Sequence, residues 1–122
     1  MKRFALALGC IFAATLLSPA AGRTEPVEEN YKLYCVQCHG TAGTGQGINQ
    51  TAGGLAVGAR DHSSAVQMSK LADEEIRLAI AKGGDAVQKS ELMPPWGEVL
   101  TANEIDDLVA LMRKLCKCVQ VK

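Results

Sequence analysis

Cys35-Val36-Gln37-Cys38-His39 sets two thiols three positions apart, with a histidine directly after the second. At a helix end, side chains at this spacing share a face. Both thiols can then add to the two vinyl groups of one haem, and the histidine is delivered to its iron. Thioether bonds make such attachment permanent. Two other chemistries use a Cys-x-x-Cys pair. A thioredoxin-like redox pair needs strands and βαβ units, and the chain has no convincing alternation of apolar and polar residues. A zinc site needs a second ligand pair at matching spacing, which is missing. The motif therefore reads as one haem c, bound through Cys35 and Cys38, with His39 as an axial ligand.

An iron so held has a sixth position, and its occupant separates carrier from catalyst. The candidates are Met68, Met93, Met112 and His62. Met112 sits on the apolar stripe of a helix and Met68 precedes Ser69-Lys70, so packing accounts for both. Met93 lies in Leu92-Met93-Pro94-Pro95-Trp96-Gly97, where two prolines fix the backbone and disfavour helix before them. A pre-set loop holds a soft thioether against iron at little cost in ordering, so Met93 is the expected ligand. His62, in Arg60-Asp61-His62-Ser63, reads as a loop histidine that caps or contacts a propionate and is the weaker ligand candidate. Trp96 and Arg60 are expected as neighbours of the ring. Gly43, Gly45 and Gly47 miss the dinucleotide-binding spacing, and no Gly-Lys-Ser/Thr follows to cradle phosphate.

The elements that must position these residues read as helices joined by glycine-rich loops. Thr24 caps a first helix over Glu25–Cys38, with Val27, Tyr31, Tyr34 and Cys38 on one side. A loop from Gly40 to Gly58 follows. A second helix spans Asp73–Lys82, acidic at its start and stopped by Gly83-Gly84. A third runs from Ala102 to Cys116, opened by a Thr101/Glu104 capping box and striped by Ile105, Leu108, Met112 and Leu115. A short helix over Ser64–Ser69 is also expected. The fold class is all-α.

Met1-Lys2-Arg3, the apolar run Phe4–Leu17 and the small residues Ser18–Gly22 follow the order of a secretory leader. Cleavage is expected after Ala20 or Gly22, leaving residues 23–122 as a single domain; a retained leader would act as an anchor. Ala7-Leu8-Gly9-Cys10 matches a lipoprotein site only weakly, so Cys10 reads as part of the leader. Of 13 basic and 13 acidic residues the leader takes Lys2 and Arg3, so 11 and 13 remain, a net −2. That balance argues against nucleic acid, which calls for a basic face. With five aromatic residues in the whole chain, a covalent cofactor is a natural centre for a small core.

Cys35-Val36-Gln37-Cys38-His39-Gly40, the glycines after it, Met93-Pro94-Pro95-Trp96-Gly97 and Leu100-Thr101 resemble the class I c-type cytochromes, over about residues 30–115. The resemblance implies a small all-helical fold of about three to five helices around one haem. It implies His39 and Met93 on the two faces of the iron and electron transfer through a partly exposed haem edge. The small bacterial members are the most similar, including those attached as modules to oxidases and dehydrogenases.

The end of the chain departs from that pattern. Cys116 and Cys118 point roughly 200° apart on a continuing helix and cannot meet unless it unwinds. In an oxidising compartment such thiols invite an intermolecular disulfide, to a second copy or to a partner. The expected function is a one-electron carrier, not an enzyme, exported to the periplasm and working between membrane complexes or soluble reductases. Two alternatives remain: a haem protein with a labile sixth site, acting as peroxidase or gas sensor, and a dedicated electron-transfer subunit of one redox enzyme.

Overall fold

Thr101 and Glu104 close the capping box expected of them. The Thr101 hydroxyl accepts the Glu104 backbone N–H at 3.3 Å, and the Glu104 carboxylate accepts the Thr101 backbone N–H at 2.8 Å. From that cap the longest helix runs from Ala102 to Cys116 and buries Ile105, Leu108, Val109, Met112 and Cys116. Each side chain of this size taken fully out of water contributes about 1.5–3 kcal/mol.

The computed structural model describes residues 26–120. The expected leader, its cleavage sites and Thr24 as a helix cap lie outside them. In chain order the elements are α1 (Val27–Tyr34), α2 (Val36–His39), α3 (Ile48–Thr51), α4 (Ala65–Met68), α5 (Asp73–Lys82), a 3-10 turn (Asp85–Val87) and α6 (Ala102–Cys116). No strand occurs among the described residues. Three of the six helices are single turns, so the count exceeds the expected three to five through short pieces, not through a different architecture.

α6 is the hub. It packs on α1, α4 and α5. Asn30 of α1 donates to the Glu104 carboxylate at 3.3 Å. Arg113 reaches from α6 to Asp73 at the start of α5, and gives further N–H groups to the carbonyls of Met68 and Leu71. Tyr31, Met68, Ile76, Ile80 and Leu100 complete the core between these helices.

Two expectations are corrected. The helix foreseen over Glu25–Cys38 breaks at Cys35, whose φ of −114° departs from helical geometry. The hydrogen bonds continue through the break, Cys35 N–H to Tyr31 at 2.9 Å and His39 N–H to Cys35 at 2.9 Å. The Cys38 N–H also bonds to Cys35, at 3.2 Å, so the second piece starts from the Cys35 carbonyl and reaches His39. Beyond it Gly47 lies against the backbone of Gln37 and Cys38, where a Cβ would collide with the Gln37 carbonyl.

The second correction is at the end of the chain. Helix geometry ends at Cys116, and Lys117 turns left-handed (φ 50°, ψ 41°) with its N–H bonded to the Arg113 and Lys114 carbonyls. That reversal brings Cys116 and Cys118 together as an intramolecular disulfide, Cα to Cα 5.2 Å. Both thiols are consumed, and Cys116 is buried. The intermolecular disulfide expected through Cys116 or Cys118, to a second copy or a partner, is thereby overturned.

Candidate haem site

Cys35, Cys38, His39 and Met93 line one cavity of about 590 Å³. Its size falls in the range of about 300–1,000 Å³ usual for small-molecule and cofactor sites. The wall is largely apolar, with Tyr34, Leu71, Ile76, Ile80 and Trp96 among its members.

His39 ends α2 and is buried. Its Nδ1 lies 2.9 Å from the Arg60 carbonyl oxygen. A carbonyl only accepts, so Nδ1 carries the proton and Nε2 keeps its lone pair free for a metal. Burial lowers the pKa of this imidazole; the Arg60 carbonyl opposes that shift, and the Arg60 charge adds to it. A neutral ring is what a metal ligand requires.

Cys35 and Cys38 are both free thiols. Burial pushes the Cys35 thiol up to about 12, and the neighbouring Cys38 adds to the shift. A disulfide oxidoreductase relies on a lowered thiol pKa, the opposite of what burial does to Cys35. Among the described residues no three of His, Cys, Asp and Glu converge to hold a metal ion.

Met93 is half-buried, and its loop is tied down at several points. Its carbonyl accepts the Gly84 N–H at 3.0 Å, and the Trp96 and Gly97 N–H groups bond to Ile80 and Ala81 at 2.9 and 3.0 Å. The prolines are thus aided by bonds to the end of α5, which the sequence did not reveal. Trp96 and Arg60 line the cavity as expected, Trp96 tilted against Tyr34 with ring centroids 4.9 Å apart. Met68 and Met112 also touch it, but from the core, 1% and 3% exposed.

His62 lies in a turn ahead of α4, as expected of a loop histidine, but its surroundings are not those of an exposed loop. It is buried and stacked on His39, ring centroids 4.0 Å apart. Tyr31 supplies a hydroxyl to it, 3.0 Å from Nδ1. Burial lowers the His62 pKa well below the usual histidine value, with the charges of His39 and Arg60 adding to the shift. Stacked on His39, it is poorly placed to reach the iron as a second axial ligand. The Tyr31–His62 pair and the Arg60 carbonyl were missed in the sequence because they are set by contacts between distant segments.

The residues therefore suit a covalently held haem: two thiols, an imidazole with a free Nε2 and a thioether share an apolar cavity. Residues 22–112 match the family described as cytochrome c oxidase, cbb3-type, subunit III. The chain belongs to this family of c-type cytochromes. Among solved structures it is similar to the KustC0563 c-type cytochrome, at 30% identity and a TM-score of 0.56, over 72% of this chain and 94% of that one. No curated protein matches it. As a c-type cytochrome it carries haem c, covalently bound, and falls in a class of electron carriers.

Proposed function

We propose that this cytochrome is an exported one-electron carrier whose iron is held between His39 and Met93, with Cys35 and Cys38 forming the thioethers. The observation that carries this reading is the convergence of those four side chains on one cavity. The haem, when bound, supplies a centre that gains and loses one electron. The chain's own residues keep that centre from rearranging. His39 is fixed by its bond to the Arg60 carbonyl, and the Met93 loop by the bonds to Ile80, Ala81 and Gly84. Two fixed ligands leave little to move when the charge changes, and a thioether favours the reduced form. The apolar wall excludes water. The leader at residues 1–22 supports export, and covalent attachment suits a periplasmic protein.

The name of the matched family favours a second reading of the biology, a carrier docked on one oxidase as its electron-transfer subunit. Co-purification of the untagged protein with a membrane oxidase would select it over a freely diffusing shuttle.

Optical absorption tests the ligation. The oxidised protein should show a weak long-wavelength sulfur-to-iron band that Met93→Ala abolishes, and the reduced protein should not bind carbon monoxide. Ready carbon monoxide binding by the wild-type protein would instead mean a labile sixth site, and a peroxidase or gas sensor.

A further inference from the structure

We infer that His62 and Tyr31 are positioning residues that set the plane of the His39 imidazole. The inference rests on the proposal that His39 is an axial ligand. A hydrogen bond at Nδ1 and a metal bond at Nε2 both lie in the plane of the ring, so together they leave its rotation about that line weakly held. His62 meets the ring on its face, with centroids 4.0 Å apart and planes 18° from parallel. A face contact resists the rotation that the two edge contacts permit.

The arrangement is built, not incidental. Residues 60–62 form one strap that presents both restraints, the Arg60 carbonyl at the edge of His39 and the His62 ring on its face. The strap is anchored by the His62 N–H bonding to the Gly43 carbonyl at 2.6 Å. His62 is held in turn by the Tyr31 hydroxyl at 3.0 Å, and the Tyr31 ring meets it edge-on, at 66°. Both residues are 4% exposed. Gly43 has a φ of +73°, and a Cβ there would press on the His62 Cβ at 3.1 Å and the Tyr31 hydroxyl at 3.3 Å. A histidine serving only as filler would be replaced at less cost by leucine, since burying a polar ring without a partner is unfavourable. Here the partner is present, and it fixes the ring against His39.

Tyr31→Phe removes one oxygen and keeps the core filled, His62→Leu removes the ring, and His62→Phe restores a ring without the hydrogen bond. The readouts are the electron paramagnetic resonance spectrum of the oxidised, haem-loaded protein, which reports the orientation of the axial ligand, and the midpoint potential. The wild-type protein should give one narrow low-spin set of resonances. His62→Leu should broaden or split that set and shift the potential, Tyr31→Phe should do so to a smaller extent, and His62→Phe should return towards wild type. If both His62→Leu and Tyr31→Phe leave the spectrum and potential unchanged while only the melting temperature falls, the pair is packing alone and the inference is overturned. Failure of the underlying ligation is a separate result: His39→Ala would then keep the wild-type low-spin spectrum, whatever the His62 variants do.

Discussion

Gly84 donates its backbone N–H to the carbonyl of Met93 at 3.0 Å, so the residue that follows the α5 stop also holds the sulfur-bearing loop. A Cβ at Gly84 would collide with the Ser90 carbonyl and approach the Met93 Cβ to 3.3 Å. Its φ of −65° is ordinary, so the restriction is one of space. Gly84→Ala should therefore displace the loop, weaken or abolish the sulfur-to-iron band, and destabilise the protein by about 1–3 kcal/mol. At Gly58 an added Cβ meets only Gln50 Oε1, at 3.8 Å, so Gly58→Ala should keep the band. Oxidised absorption spectra of the two variants check the contrast.

How far the sequence foretold the fold varies by element, for identifiable reasons. The helices Asp73–Lys82 and Ala102–Cys116 were readable because their signals are local: acidic first turns, Gly83, and the Thr101/Glu104 box. The break at Cys35 was not, because no residue type there signals it. Lys117 misled in the same way. A left-handed lysine is uncommon, so the reversal that pairs the two thiols just past the helix end has no signal in the sequence. The site divides similarly. Cys35, Cys38, His39 and Met93 stand out by spacing and prolines, and they line one cavity. His62 reaches His39 across a fold that no local pattern encodes.

Arg113 should be the most costly single charge to remove. Its guanidinium satisfies the carbonyls of Met68 and Leu71 at 2.7 and 2.6 Å as well as Asp73, from a position only 13% exposed. Arg113→Ala leaves the Leu71 carbonyl without its donor, leaves the Met68 carbonyl with only the Leu71 N–H, and removes the ion pair to Asp73; it should cost about 2–4 kcal/mol, or more than about 10 °C in melting temperature. Lysine cannot reproduce a forked donor, so Arg113→Lys should recover less than half of the loss. Thermal melts of the haem-loaded proteins test both.

Tyr31 predicts a loss of stability in alkali. Burial raises its pKa well above the usual value; Asp61 adds to the shift, and the Cys35 contribution is lost once that thiol becomes a thioether. The folded phenol therefore keeps its proton while the unfolded one, near pH 10, releases it. Stability is fully present below about pH 10 and falls above it by up to about 1.4 kcal/mol per pH unit. Tyr31→Phe should flatten that slope. Denaturant titrations of the haem-loaded protein between about pH 8 and 11 measure it.

The Cys116–Cys118 bond predicts a thiol count. Of the five cysteines, Cys10 lies in the proposed leader, and Cys35 and Cys38 are taken by haem in the proposed holoprotein. Alkylation of the unfolded mature chain should label none before reduction, and only Cys116 and Cys118 after it. The protein should run as a monomer in gels with and without reductant. Closing so short a loop contributes about 1–2 kcal/mol, so the double variant Cys116→Ser/Cys118→Ser should melt lower yet keep the same visible spectrum.

The contact between Asn30 and Glu104 spans 74 positions, and α6 is the helix on which α1, α4 and α5 all pack. Such long-range closure is slow, and during synthesis the N-terminal part of a chain emerges first. The two cysteines are therefore presented on a tethered, open segment well before the helix that completes their surroundings exists. Assembly acquires an order from this: Cys35 and Cys38 can take up the cofactor while the site is open, and α6 closes over it last.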